Sequence, residues 1–191
     1  MNREIRLSLV ITLSISVVLL VVCFALMMSR AGYYIQMLNE LADIEDDNGM
    51  GGLAFLTAVG LIAVVAIWMA SIPLIVTAIM QLPFIPLMSS IKSEKKAHTV
   101  VKVHLILSSI YTFFTSLAIL LLTRFISTYI EASNDFNPTI HALMILLPIA
   151  GICLLASLTT TIVGYVKIHK QYVKLQEEER QKQQEIVIKL V

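Results

Sequence analysis

The chain has 191 residues, 58% of them hydrophobic and 14% charged, and a formal net charge of +1. Soluble domains run at about 45–50% apolar and about 25% charged, so this composition argues against a soluble globular domain, and its near-neutral balance argues against a nucleic-acid partner. Two cysteines, Cys23 and Cys153, lie singly inside apolar runs, which speaks against a disulfide framework and places no metal-type neighbour beside either.

The first apolar stretch, residues 7–29, carries no charged residue in 23 positions. A bilayer core takes about 20 apolar residues as a helix, and the stretch is longer than a signal-peptide core and lacks a small-residue cleavage site. It reads as a retained span. Arg30 closes it, Tyr33 and Tyr34 suit a headgroup region, and Tyr34, Met37, Leu41 and Ile44 recur at helical spacing. That spacing predicts a short amphipathic surface helix. Asp43, Glu45, Asp46 and Asp47 are expected to end it, with a flexible break at Gly49–Gly52. The acidic run does not fit a calcium loop, because Ile44 takes the first ligand position and Phe55 the closing one.

The second uncharged stretch, 48–91, is too long for one span. Two tight spans turning near Pro73 would put the lysines of 92–102 on the same side as the acidic loop, against the cytoplasmic bias of Lys and Arg. One span over about 53–80, kinked at Pro73, is the better reading. Residues 81–91, with Pro83 and Pro86, then form a bent interfacial segment. The third span covers 103–123 and ends before Arg124; Asn137 and Pro138 open the fourth, 142–166.

Orientation follows from counting. Segments 1–6, 92–102 and 167–191 hold 12 of the 14 Lys and Arg residues, which places both termini in the cytoplasm. The expected fold is all-α: an integral-membrane four-helix bundle over residues 1–166 and a cytoplasmic helical tail over 167–191. The absence of an N-x-[ST] acceptor fits a multi-pass protein of a bacterial plasma membrane.

No span contains Asp, Glu, Lys or Arg, the usual marks of proton relays and substrate sites in membranes. His104 and His141 fall at opposite ends of the spans and read as wetted interface residues. His98 and His169 lie in the basic segments; His98 and His104 are close enough in sequence to meet along one helix, but their spacing matches no metal motif. No H-E-x-x-H or G-x-S-x-G is present, so neither catalytic residues nor cofactor are expected, and the chain reads as a non-enzyme.

Small residues repeat at helical spacing: Ser8, Thr12 and Ser16; Ser108, Thr112 and Ser116; Ala156, Thr160 and Gly164, with Cys153, Ser157 and Thr161 one stripe over. Such ladders let spanning helices approach closely. In the tail, Ile168, Tyr172 and Leu175 form a helical seam that Glu179 and Lys182 interrupt and Ile186 and Leu190 resume. Those five apolar residues are the candidate partner-binding set. The expected role is a non-catalytic accessory, regulatory or protective subunit, with the bilayer and a membrane or cytoplasmic protein as partners and homo-oligomers open to it. The alternative is a small oligomeric transporter or channel.

Overall fold

The computed structural model describes the backbone of residues 3–48, 51–91, 93–133 and 138–190; the side chains of 3, 34, 37–59, 63, 92, 94, 129–137 and 185–191 stand outside that description. Five helices follow in order: α1 (Arg3–Asn48), α2 (Gly51–Gln81), α3 (Phe84–Ser90), α4 (Glu94–Ser133) and α5 (Pro138–Leu190). All but α3 are long and apolar enough to cross a membrane. No strand occurs among the described residues.

The short helix expected from Tyr34 onward is a continuation of α1, which runs uninterrupted to Asn48, just past the acidic run expected to end it. One glycine, Gly32, interrupts the helix formers there, and a single helical glycine costs about 1 kcal/mol, too little to break a helix of this length. The predicted amphipathic face lies outside the described side chains; of the predicted Gly49–Gly52 break, residues 49 and 50 lie outside the described residues, and Gly51 and Gly52 instead form the first turn of α2.

α2 runs through Pro73 without turning. Proline cannot donate to the preceding turn, and a hydroxyl from the next helix engages the site: Thr115 Oγ1 of α4 donates to the Pro73 carbonyl at 3.2 Å. The turn comes later. Leu82 still donates to Ala78 at 3.1 Å, Pro83 then redirects the chain, and α3 occupies seven residues before Ile91 returns to extended backbone.

The long helices pack as a ring in which α1 touches α2, α2 touches α4, α4 touches α5 and α5 closes on α1. Diagonal pairs make no close backbone approach among the described residues. Each neighbour runs antiparallel, which fixes a register. Thr77 meets Thr115 at 2.6 Å, Thr161 meets His104 at 3.4 Å, and a Cβ on Gly164 would lie 3.3 Å from Leu9 Cδ1. Gly164 therefore lets α1 and α5 approach at the end of the bundle that carries most of the cations. That basic end is also where α3 packs, against α1, α2 and α4.

The interior divides along the bundle axis. Towards the acidic end, Leu20, Met27, Ile67, Leu74, Leu122, Leu143, Leu147 and Leu154 form one apolar cluster of fully or nearly buried side chains. A second, smaller cluster joins Leu9, Met88, Ile91, Ala97, Val101 and Ile168 at the basic end. Much of the outer surface is apolar too, with Ile62, Met69, Phe113, Leu120 and Ile152 each more than three-fifths exposed. An apolar exterior around a packed interior is what a lipid solvent requires.

Candidate functional site

Between the two apolar clusters lies a group of buried polar side chains supplied by every long helix: Ser16 from α1, Thr77 and Gln81 from α2, His104, Ser108, Thr112 and Thr115 from α4, and Ser157 and Thr161 from α5. Antiparallel register brings them into one stretch of the interior, about 16 Å long from His104 to Thr115 at 1.5 Å per residue. From the Leu9–Gly164 contact, two turns along each helix reach Ser16 and Ser157. The ladders at 108 and 112 and at 157 and 161 thus face inward, whereas Ala156 is exposed and Thr160 half-buried. Thr160 and Thr12 donate to their own helix, to the carbonyls of Ala156 and Ser8.

His104 departs from the expectation of a wetted interface residue. It is fully buried, because α3 folds beneath the bundle and sets Phe84 edge-on to the imidazole at 4.6 Å between ring centres. Its Nε2 lies 3.3 Å from the Tyr111 hydroxyl and its Nδ1 3.4 Å from Thr161 Oγ1. Gln81 reaches the same phenol. Gln81 Oε1, Ser16 Oγ and Thr112 Oγ1 are buried with no hydrogen-bond partner among the described residues. This group ties α2, α4 and α5 together through hydrogen bonds; it contains no carboxylate, lysine or arginine, and the His104 imidazole is the one side chain in it able to take up a proton near neutral pH. Among the described residues, no cluster of three His, Cys, Asp or Glu side chains suits a metal ion.

α3 is itself held from above. Arg6 donates from Nη2 to the Ile91 carbonyl at 2.8 Å and from Nη1 to that of Ser89 at 3.4 Å. A guanidinium at the carbonyl end of a helix suits the helix dipole. Met88, fully buried, fills the space below.

The predicted tail seam sorts into three parts. Ile168 is buried within the chain's own basic-end cluster, against Val101 and Ala97 of α4. Tyr172 stacks on His98, with ring centres 4.5 Å apart and planes 7° from parallel. Leu175 is half-buried. Ile186 and Leu190 have side chains outside the described residues. Ile168 is therefore buried by the protein's own fold, and Tyr172 is half-buried against His98. Beyond Leu175 the helix is bare: every described side chain from Gln176 to Gln184 is exposed.

Two features fasten this extension to α4. His98 Nε2 and His169 Nδ1 lie 3.1 Å apart, and Lys95 pairs with Glu179 at 3.2 Å, both well exposed. His98 thus meets α5 and not His104. The sequence contained the signal only in hindsight: once His104 faces Thr161 across antiparallel helices, residues near 98 and 169 must face each other as well. Burial holds the His98 imidazole below its ordinary value, and the charges of His169 and Lys102 add to the effect. A hydrogen bond between two imidazoles also needs one of them neutral, since a charged imidazole only donates.

Comparison with protein-family models, with curated proteins and with solved structures finds no match to this chain.

Proposed function

We propose that this protein is a four-span membrane protein with both termini in the cytoplasm, acting as a non-catalytic accessory, regulatory or protective subunit through a partner that binds the extension of α5. The orientation rests on the Lys and Arg distribution. The observation that carries the functional reading is the extension itself. α5 continues without a break to Leu190, about 35 Å past the fourth apolar stretch at 1.5 Å per residue. The 15 helical residues beyond Leu175, exposed where their side chains are described, are about the length at which a helix without tertiary packing is marginal in water, so a partner along this distal part would supply the burial that the chain's own bundle does not. The acidic-end core, apolar in every buried member among the described residues, supports the same reading against a path along the axis of a single bundle, though not against one between copies.

The test is site-specific photo-crosslinking in intact cells. A photoreactive residue at Gln176 or Gln183 is expected to give one discrete protein adduct, and the same residue at the lipid-facing Phe113 is expected to give none. Absence of an adduct at both tail sites, together with solute flux into vesicles containing the purified protein, would favour the transporter alternative.

A further inference from the structure

At the basic end, the bend between α3 and α4 encloses an open groove of about 710 Å³. Its walls are of two kinds. Leu87, Ile91 and Val100 supply an apolar floor, and Lys95, Lys96 and Ser93 supply cations and a hydroxyl. Arg6 is bonded to the backbone at Ser89 and Ile91 but does not line the groove. Lys95 shares its charge with Glu179. Lys96 has no ion-pair partner among the described residues and is exposed. A cationic rim over an apolar floor suits an amphiphile with an anionic head.

The groove also has an outlet. Lys96, Thr99, Val103, Ile106, Ile110 and Phe113 are all exposed and follow each other at three- and four-residue steps, so they form one stripe on the outer face of α4. Polar at the groove, the stripe becomes wholly apolar from Val103, where exposures are 45% at Val103 and 53% at both Ile106 and Ile110. Val103 to Phe113 covers about 15 Å of helix, half of a hydrocarbon core of about 30 Å. That is the depth of one leaflet.

From this juxtaposition we infer that the α3–α4 groove is a binding site for an anionic phospholipid. The headgroup phosphate sits between Lys96 and Lys95 with Ser93 beside it, and an acyl chain lies along Val103, Ile106 and Ile110. The inference rests on the proposed orientation, which puts this end in the cytoplasmic leaflet where anionic lipid meets juxtamembrane lysines. It does not depend on the partner of α5. A water-soluble phosphate would use the lysines but gain nothing from the apolar floor or the stripe, which is why the lipid is the better occupant.

The test is native mass spectrometry of the full chain in mild detergent, titrated with phosphatidylglycerol or phosphatidylcholine. Phosphatidylglycerol is expected to be retained in preference. At about fivefold per lysine near a membrane surface, Lys96→Gln should weaken retention about fivefold and Lys95→Gln with Lys96→Gln about thirtyfold. Lys96→Arg should retain the lipid, and Lys167→Gln with Lys170→Gln, on the exposed face of α5, should change little. Equal retention of the two lipids, an unchanged affinity in the double variant, or displacement of the lipid by inorganic phosphate at comparable concentration would each overturn the proposal. These outcomes leave crosslinking at Gln176 untouched, so failure here and failure of the partner reading are separable.

Discussion

The two halves of this bundle are held together by different means. Towards the acidic end, Leu20, Leu74, Leu147 and Leu154 are fully buried and have no polar atoms to satisfy. Towards the basic end, α2, α4 and α5 meet through the hydrogen bonds of Thr77, His104, Thr115 and Thr161, Ser16 of α1 is buried beside them with no hydrogen-bond partner among the described residues, and α3 is folded underneath as a floor. In lipid the leucines gain little from leaving the solvent, since acyl chains are as apolar as they are. What they contribute is close packing, and close packing of similar side chains tolerates shifted registers. The neutral hydrogen bonds of the basic half specify which residues face each other. One half fills and seals the bundle while the other sets its register.

Placing a polar group in the sealed half should have the largest effect. Leu154→Asp buries a carboxyl with no partner, at a cost of about 3 kcal/mol at the centre of a spanning helix, and the variant should fail to give a cooperative thermal melt in detergent. A normal melt would mean that the acidic-end core admits water. Next comes Gly164→Leu. Its Cβ alone would approach Leu9 to 3.3 Å, and overpacking of this kind costs about 1–3 kcal/mol. The same melt should show it, and a variant as stable as the parent would mean that α1 and α5 can separate freely at the basic end.

Smaller effects sharpen the claim about register. Thr77→Val removes the 2.6 Å bond to Thr115 while leaving Thr115 bonded to the Pro73 carbonyl; the expected loss is about 0.6–1.7 kcal/mol, the range for hydrogen bonds between spanning helices. The smallest effect concerns the extension. Since the His98 imidazole of α4 is held below its ordinary value when the extension is docked, His98 binds the proton more readily in the undocked state. Docking is therefore at full strength above about pH 6.5, the ordinary imidazole value, and is lost as pH falls through the lower docked value. Amide exchange across residues 170–182 should speed up by severalfold on acidification, and His98→Phe, which keeps the stack on Tyr172 without a titrating group, should remove that dependence. An exchange rate independent of pH once intrinsic chemistry is corrected for would contradict it.

Much of this architecture could be read from the residues in order. Long uncharged runs and the positions of arginine, lysine and proline indicate four apolar helices, one passage through Pro73 and a bend near Pro83. These features are local. The buried His104, the His98–His169 pair and the inward turn of Ile168 and Tyr172 are not legible in the sequence, because they depend on facing residues 57 to 74 positions apart and on the depth to which α3 covers the bundle end. Sequence periodicity shows which residues share a helix face. It does not say whether that face meets another helix of the same chain or a partner, and so the seam at 168, 172 and 175 was read as a docking face although its first two members pack against α4.

The central claim is that the distal extension of α5 engages a partner and the bundle carries it. The direct test is co-purification in mild detergent of the full chain and of a chain ending at Leu175, which keeps every described contact of the extension with α4 except Lys95–Glu179. The account predicts that the shortened chain inserts and melts like the parent but purifies alone, while the full chain brings down one stoichiometric protein that also crosslinks at Gln176. A shortened chain that retains the same protein in the same amount would contradict it.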